Sequence, residues 1–394
     1  MMYYVFVKDK LISTDSILPV CLSIYNNAPN AIFHVICSTQ KTEEEIKKNF
    51  ILNHCISLIG ASLNLEFFSQ QTVIGRVCNS FIRGELRRKL RKISIVTKTA
   101  VLVLLGKATV FHFGFWEHPK LAWFTRLFSR KFFYFNGNCW GSSDAITYID
   151  NYKQRRNEKI NLRGKGVFVA FEEHWPLLAA AKRRDCRVVF SPSSRQSVVW
   201  RDFVEHQCQH LIDAEMRKLG ITGNHPTVGI ILSNLDGVSW MERPNTPEIM
   251  FKKTLKFLRE EFTTAKIIIK PHPITPIERL HEIIRKNSDK NIEITYLHAS
   301  AMAKFCDFVI CNKFSFAMAD VWAEGTPTVE FTKYPSHLLE KTKFSSMRSE
   351  FIDHFIQDDI VALNETLNKI LTDKKSGNQN FIDIDYQKLL GLSG

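Results

Sequence analysis

The sequence predicts two doubly wound α/β domains that face each other across a central cleft, each built on a parallel β-sheet. Short β-branched and aromatic segments alternate with helical segments along both halves, a pattern typical of parallel sheets covered on both faces. The length of 394 residues exceeds what one ordinary core holds. Because Gly220–Pro226 is rich in chain-breaking residues, we place the domains at residues 1–220 and 221–394.

The second half shows the alternation most clearly. Its predicted strands are Val228–Ser233, Lys266–Lys270, Ile292–Tyr296, Phe308–Cys311 and Thr328–Phe331. Its predicted helices are Pro247–Glu261, Pro276–Lys286, Ala299–Lys304 and Phe316–Ala323. A last helix over Asp358–Thr372 could pack back on the first domain.

The first half follows the same plan with weaker signals. Its predicted strands are Tyr3–Val7, Ile32–Cys37, Leu65–Ser69, Ala108–Phe113, Phe132–Phe135, Val167–Phe171 and Val188–Ser191. Its predicted helices are Thr42–Asn53, Gly75–Lys92 and a long connecting helix over Val198–Leu219. Because ligands of open α/β sheets bind at the carboxyl ends of the strands, we look for chemistry where those ends meet the cleft.

Charge is unevenly divided between the halves. Residues 1–200 hold 29 Lys and Arg against 14 Asp and Glu, a net charge of +15, whereas residues 201–394 hold 24 against 26, a net charge of −2. A basic half attracts anionic partners such as acidic lipid, an acidic glycan or nucleic acid.

Several classes of protein are disfavoured by composition. The chain begins with a strand-like segment rather than a signal peptide, and its most apolar stretch is interrupted by Lys98 and Lys107, so we predict no membrane span. The nine cysteines contain no CxxC pair, which favours a reducing cytoplasm without disulfides or structural zinc. His206 and His210 have the spacing of two metal ligands but lack a third, so we expect no metal there and no cofactor.

The first chemical signal is Lys270-Pro271-His272-Pro273, which directly follows a predicted buried strand. Two prolines stiffen this turn and hold His272 at the carboxyl end of the sheet. A histidine there can donate a hydrogen bond to a phosphate or a proton to a leaving phosphate. A turn histidine satisfied by backbone is the structural alternative.

The second signal is Asn312-Lys313-Phe314-Ser315, after the predicted strand Phe308–Cys311. Ser315 stands where a helix begins, so it could cap that helix or offer its hydroxyl to a phosphate. Asp320 and Glu324 follow on the predicted helix and could hold sugar or ribose hydroxyl groups. A solvated helix face is the alternative for both acids.

Three segments together resemble the donor domain of GT-B glycosyltransferases: Ile-Ile-Lys-Pro-His-Pro, then Val-Ile-Cys-Asn-Lys-Phe-Ser, then Glu-Gly-Thr-Pro-Thr-Val-Glu-Phe. The resemblance covers about residues 226–332 and is strongest to bacterial enzymes of capsule and lipopolysaccharide synthesis with a His-Pro motif. These include sialyl-, polysialyl- and Kdo-transferases and the related polyol-phosphate transferases. The resemblance implies two Rossmann-like domains and a cytidine nucleotide whose phosphate contacts His272 and Ser315. A paired Ser-Ser or Ser-Thr is common at the second motif, where this chain has Phe314-Ser315.

A general base for the acceptor hydroxyl is expected from the first domain. Glu173 and His174 follow the predicted strand Val167–Phe171 and are our choice, with a solvated acidic turn as the alternative. Glu117, within His112–His118, is a rival base. Arg195, after the last predicted strand of this half, could bind a charged acceptor, and Asp236 offers another carboxylate.

A basic amphipathic segment over Phe81–Ile93 predicts contact with an anionic membrane. Its apolar stripe is flanked by the basic residues Arg87, Arg88, Arg91 and Lys92. A helix docked on its own sheet, with a solvated basic face, is the alternative.

We therefore predict a glycosyltransferase, peripheral on the inner membrane, that transfers a sugar from a CMP-linked donor to a cell-surface polysaccharide or lipopolysaccharide acceptor. A polyol-phosphate transferase or a nucleotide-sugar epimerase on the same fold is an alternative, although an epimerase would not need a basic acceptor half. A nucleic-acid-binding protein is the non-enzymatic alternative, but the sequence lacks zinc-finger, RNP-type and helix-turn-helix patterns.

Overall fold

The computed structural model describes most of the second half and the strands of the first. The described residues are 1–7, 11–37, 40–63, 97, 99–113, 131–136, 165–169, 187–190, 193–235, 246–273, 275–286, 291–373 and 381–391. Within them lie two separate β-sheets in which every strand pairing is parallel. The predicted pair of parallel α/β sheets is thus confirmed.

The first sheet has seven strands in the order β3-β2-β1-β4-β5-β6-β7. The strands are β1 (Met2–Val7), β2 (Ile32–Cys37), β3 (Ser62–Leu63), β4 (Ala108–Phe113), β5 (Phe132–Asn136), β6 (Gly166–Val169) and β7 (Arg187–Phe190). The order reverses beside β1, which pairs with both β2 and β4. Such a reversal opens a crevice at the carboxyl ends of the strands.

The second sheet has six strands in the order β10-β9-β8-β11-β12-β13. The strands are β8 (Thr227–Ile231), β9 (Lys266–Lys270), β10 (Ile292–Ile294), β11 (Phe308–Cys311), β12 (Thr328–Thr332) and β13 (His354–Gln357). The order reverses here beside β8, which pairs with β9 and β11. The predicted boundary at residue 220 falls between the two sheets and stays a prediction.

Helices cover both faces of the second sheet. They include α6 (Thr246–Glu261), α7 (Ile277–Lys286), α8 (Ala299–Ala303), α9 (Ala317–Ala323), α10 (Ser336–Lys341) and α11 (Ile360–Asp373). Successive residues of β11 point to opposite faces, so Phe308 packs with α6, whereas Val309 lies in a core shared with the first sheet. This two-sided burial explains why the strands of the second half are almost wholly apolar.

The helices of the first half depart from the sequence prediction. They include α1 (Leu11–Asn27), α2 (Gln40–Lys48), α3 (Phe50–Leu58), α4 (Val198–Asp202) and α5 (Gln209–Lys218). Helix α1 was not predicted. The predicted helix Thr42–Asn53 is two helices, because the Asn49 side chain accepts a hydrogen bond from the Leu52 backbone N–H at 3.2 Å and starts a new one.

The long connecting helix predicted over Val198–Leu219 is wrong as one element. A π-helical turn, Phe203–Gln207, follows α4, and Cys208 separates it from α5. The predicted strand Leu65–Ser69 and helix Gly75–Lys92 lie outside the described residues.

The final segment returns to the first half of the chain. Leu363 and Leu367 of α11 lie in the core of the second sheet, and packing of this helix back on the first domain stays a prediction. The short helix α12 (Tyr386–Leu390) packs against α1. Ahead of it, Ile382 forms a parallel bridge with Ser197.

Among the described residues, every helix is too short or too polar to cross a bilayer.

The close packing of α8 against β8 requires a glycine at position 229. Gly229 of β8 lies beneath α8, where an added Cβ atom would come within 2.4 Å of the Met302 Cε atom and 2.9 Å of the Val309 Cγ2 atom. We expect Gly229→Ala to lower the free energy of unfolding by about 1–3 kcal/mol, as for other overpacked cores. Urea unfolding measures the change.

The double variant Gly229→Ala/Met302→Ala provides the control. Because the shorter side chain makes room for the new methyl group, its loss should be smaller than the sum of the two single losses. Additive losses would show that the contact with Met302 is not the cause.

Candidate functional site

The turn after β9 holds His272 at the carboxyl end of the second sheet. The strand is buried over Ile267–Ile269 and ends at Lys270, whose Nζ donates to the Leu297 carbonyl oxygen. Burial lowers the pKa of Lys270, and the nearby carboxylates of Asp15 and Asp320 oppose that effect. The half-buried His272 accepts a backbone hydrogen bond from Thr275 at 2.8 Å, which tightens the proline-bounded turn.

The loop after β11 carries Ser315 and is fixed by buried polar groups. The Asn312 side chain donates to the Thr254 hydroxyl at 2.8 Å and to the Phe331 carbonyl at 3.0 Å. The Phe314 backbone N–H donates to a Glu330 carboxylate oxygen at 2.8 Å. Ser315 is half-buried, and α9 begins after Phe316 without a side-chain cap.

Glu330 is the central hydrogen-bond acceptor of the group that fixes the Ser315 loop. Its carboxylate also accepts hydrogen bonds from the Tyr334 hydroxyl at 2.5 Å and the Ser346 hydroxyl at 2.6 Å. Burial raises the pKa of Glu330 in spite of these hydrogen bonds. Because the carboxylate joins β12 to the Ser315 loop, it holds that loop at the sheet edge.

The His272 and Ser315 loops leave the same edge of the sheet on either side of β8. They follow β9 and β11, the two strands that pair with β8 where the strand order reverses. This is the position at which open α/β sheets bind their ligands. The structure therefore places both motifs at the crevice of the second sheet.

A buried cluster of charged side chains joins this edge to the first half of the chain. Arg195 follows β7 in a short 3₁₀ turn, and its guanidinium lies 3.0 Å from Asp320 of α9 and 3.7 Å from Asp15 of α1. It also donates to the Phe316 carbonyl at 3.3 Å. Arg195 and Asp320 are each only 2% exposed, so the acceptor-facing position that we predicted for Arg195 is instead a buried ion pair.

His298 completes the cluster. Its Nδ1 atom accepts a hydrogen bond from the Ser300 backbone N–H at 3.2 Å, which places the ring proton of the neutral side chain on Nε2. That Nε2 atom lies 3.9 Å from carboxylate oxygens of both Asp15 and Asp320. Burial, together with Arg195 and Lys270, holds the pKa of His298 well below its ordinary value, so the ring is neutral at pH 7.

The two acids of the cluster hold their protons more tightly than free carboxyls. Burial raises the pKa of Asp320 to about 7, and Arg195 limits the rise. Burial likewise raises the pKa of Asp15 to about 6, again opposed by Arg195. Asp15 gave no signal in the sequence because it lies on α1, which was not predicted, and His298 gave none because no motif surrounds it.

Glu324, the other predicted acid of α9, has a cation of its own. Its carboxylate is buried and lies 2.5 Å from the Nζ atom of Lys304, the residue that follows α8. Its predicted role as a ligand of sugar hydroxyls stays a prediction, as does that of Asp320.

Other candidates are placed elsewhere or not described. Glu173, His174, Glu117, Asp236 and the basic residues Arg87, Arg88, Arg91 and Lys92 lie outside the described residues. His112 is buried at the end of β4. His206 lies in the π-helical turn and His210 in α5. Within the described part of the chain, no group of three or more His, Cys, Asp or Glu side chains could hold a metal ion.

Comparison with known proteins identifies the fold. No protein-family model and no curated protein matches the sequence. Among solved structures, the chain is similar to UDP-GlcNAc 2-epimerase from Neisseria meningitidis bound to UDP-GlcNAc, with 12% identity, 100% of this chain and 99% of that chain covered, and a TM-score of 0.57.

Two transferases are similar over comparable lengths. A glycosyltransferase from Rickettsia africae has 11% identity, covers 99% of this chain and 97% of its own, and gives a TM-score of 0.53. The wall teichoic acid polymerase TagF has 11% identity, with 100% and 88% covered and a TM-score of 0.50. At these identities the likeness shows the fold alone, which is the two-domain GT-B fold of glycosyltransferases and epimerases.

Burial of the two carboxyls beside Arg195 makes stability depend on pH. The pKa of Asp320, about 7, and that of Asp15, about 6, lie above the ordinary value. Unfolding therefore releases protons below pH 7, and the contribution of these carboxyls to stability falls as pH rises. We expect Arg195→Met to lower the free energy of unfolding by about 3–5 kcal/mol at pH 8, where both carboxyls are charged.

The loss should be clearly smaller at pH 5, where both carboxyls are protonated and need no cation. Denaturant unfolding at the two pH values measures it. Arg217→Met, at an exposed arginine in the last turn of α5, is the control and should cost at most about 1 kcal/mol at either pH. Equal losses for Arg195→Met at both pH values would contradict the charged role of the cluster.

Proposed function

We propose that the protein is a glycosyltransferase that moves a sugar from a nucleotide-sugar donor to a cell-surface polysaccharide or lipopolysaccharide acceptor. The observation that carries this proposal is the convergence of the His272 and Ser315 loops on one edge of the second sheet, flanking β8. Such an edge is where the phosphates of a nucleotide are bound in doubly wound sheets.

In the proposed mechanism, the second half binds the donor and stabilises the leaving nucleotide. His272 contacts the donor phosphate and supplies a hydrogen bond or a proton as negative charge develops there. The Ser315 hydroxyl donates to a neighbouring phosphate oxygen, and the ammonium group of Lys270 adds positive charge at the end of β9. Asp320 and Glu324 are proposed to hold hydroxyl groups of the sugar or ribose.

The first half is proposed to supply the base. Glu173 or His174 removes the proton from the acceptor hydroxyl as it attacks the sugar, and the reaction needs no metal. Arg195 acts by holding Asp320 and the Ser315 loop, since its guanidinium contacts both Asp320 and the Phe316 carbonyl.

The donor is proposed to be CMP-linked, by the resemblance of the His272 and Ser315 motifs to those of sialyl-, polysialyl- and Kdo-transferases. A polyol-phosphate transferase on the same fold is the related alternative, and the likeness to a wall teichoic acid polymerase favours it.

A nucleotide-sugar epimerase is the second candidate function. The buried carboxyls of Asp15 and Asp320 lie beside His298, and all three residues have polar atoms without hydrogen-bond partners in the described structure. Epimerisation needs groups that remove and return a proton at a sugar carbon, which such a cluster can do. The likeness to UDP-GlcNAc 2-epimerases favours the same reading.

The enzyme is further proposed to be cytoplasmic and to associate with the inner face of a membrane. The basic residues Arg87, Arg88, Arg91 and Lys92 would then meet anionic lipid, with the net charge of +15 on residues 1–200 as motivation. Nucleic acid is not proposed as a partner.

His272→Ala should reduce sugar transfer by at least about 100-fold while the melting temperature is kept, because a group that stabilises charge only in the transition state is lost. Release of free nucleotide in the presence of acceptor measures the rate. His281→Ala, at an exposed histidine of α7, is the matched control and should leave the rate unchanged. Near-normal turnover of a folded His272→Ala variant would remove this residue from the mechanism.

Calorimetry should show CMP or CDP binding more tightly than UDP or GDP, because the His272 and Ser315 motifs resemble those of enzymes that use cytidine nucleotides. A parallel incubation with UDP-GlcNAc, followed by NMR, separates the two candidate functions. Tighter binding of UDP, together with conversion of UDP-GlcNAc to its 2-epimer in the absence of acceptor, would establish the epimerase and refute the transferase.

A further inference from the structure

The amino ends of the first sheet form a surface that the proposed reaction does not use. Because its strands are parallel, they all enter the sheet along one edge, which we call the amino edge. The residues that precede or begin strands there include Met1, Ile32, Lys107, Lys131 and Lys165. Backbone hydrogen bonds join Ile32 to Met1 at 3.0 Å and Met2 to Lys107 at 3.3 Å. The opposite edge holds the carboxyl ends of the strands.

An apolar stripe faces solvent at this edge. Residues 99–104 are helical and lead into β4 through a turn at Gly106, whose φ is 69°. Val101, Leu104 and Leu105 are 48%, 68% and 61% exposed, whereas Val103 between them is buried. Met1 and Ile32, at the adjoining strand ends, are 60% and 50% exposed. Surface helices normally direct polar residues toward solvent. An exposed apolar stripe with helical spacing therefore indicates a surface that a membrane or another molecule covers.

The described residues at the amino edge that carry charge are all basic. Lys107, Lys131 and Lys165 stand immediately before β4, β5 and β6, and none of the described residues that precede or begin a strand of this sheet is acidic. The Lys165 Nζ atom lies 5.6 Å from the centroid of the Phe133 ring. Exposed leucines beside lysines are the combination by which proteins bind anionic bilayers, with the apolar side chains inserted and the ammonium groups at the headgroups.

We propose that the amino edge of the first sheet is a lipid-binding surface for an anionic bilayer. The inference deepens the proposed membrane association and rests on it, but it assigns the contact to residues distinct from the basic segment 81–93. A second copy of the chain is the less favourable occupant, because a two-fold contact would set these lysines against their own copies.

Co-sedimentation with phosphatidylcholine vesicles, with and without phosphatidylglycerol, tests the inference. Wild-type protein should sediment with the anionic vesicles. The double variant Leu104→Gln/Leu105→Gln should bind them roughly ten-fold or more weakly, since each inserted leucine contributes substantially to partitioning. Its melting temperature should be unchanged because both side chains are exposed.

The matched control is Ile249→Gln/Val361→Gln, which removes equally exposed apolar side chains from α6 and α11 of the second half. It should bind vesicles like the wild type. A change of the four basic residues Arg87, Arg88, Arg91 and Lys92 to Gln tests the proposed membrane segment separately, and calorimetry with CMP tests the donor site without lipid.

Three results would overturn the inference. If wild-type protein ignores anionic vesicles at low salt, both the inference and the proposed membrane association fail. If only the four-residue basic variant loses binding, the association stands but the amino edge is not its site. If light scattering shows that the leucine variant converts a dimer to a monomer, or its melting temperature falls, a second copy or this chain itself covers the stripe.

Discussion

The buried ion pair between Arg195 and Asp320 is the interaction on which the arrangement of the site depends. Removing two charges from water is costly, so the pair is tolerated only where both partners are held in place. Its members come from distant elements, since Arg195 follows the last strand of the first sheet and Asp320 lies in α9 behind the second. Asp15 of α1 adds a third element at 3.7 Å. The pair therefore fixes the position of the first half against the crevice of the second.

The same guanidinium reaches the residues that the sequence motifs single out. Arg195 donates to the carbonyl of Phe316, the residue after Ser315, while Glu330 holds the other side of that loop through Phe314. The Ser315 loop is thus supported from both halves of the chain. A change of protonation at Asp320 would alter the electrostatic balance one turn of helix away from the predicted phosphate contact.

Individual strands could be predicted from the sequence, but contacts between residues far apart in the chain could not. The strands Lys266–Lys270 and Phe308–Cys311 were predicted residue for residue, because short apolar runs bounded by Pro, Asn or Asp have few alternatives. Helix α1 was not predicted because it contains Pro19 and is buried on most sides. It therefore lacks the polar face that marks a surface helix. The buried charged cluster around Arg195 was not predicted for another reason. Arg195 and its acceptor at Phe316 are 121 residues apart, and a local sequence pattern does not encode such a pairing.

The return of the final segment has a consequence for how the chain acquires its structure during synthesis. Tyr386 and Leu390 are buried in the core that includes α1, and Ile382 pairs beside Ser197. The first half emerges from the ribosome early, yet part of its core is supplied by residues that are translated after the whole second sheet. A domain of this kind cannot finish folding before the second one is made. Its unfinished surface must remain protected until Tyr386–Leu390 has been translated, and a premature stop between the second sheet and this helix would damage the half farthest from it in sequence.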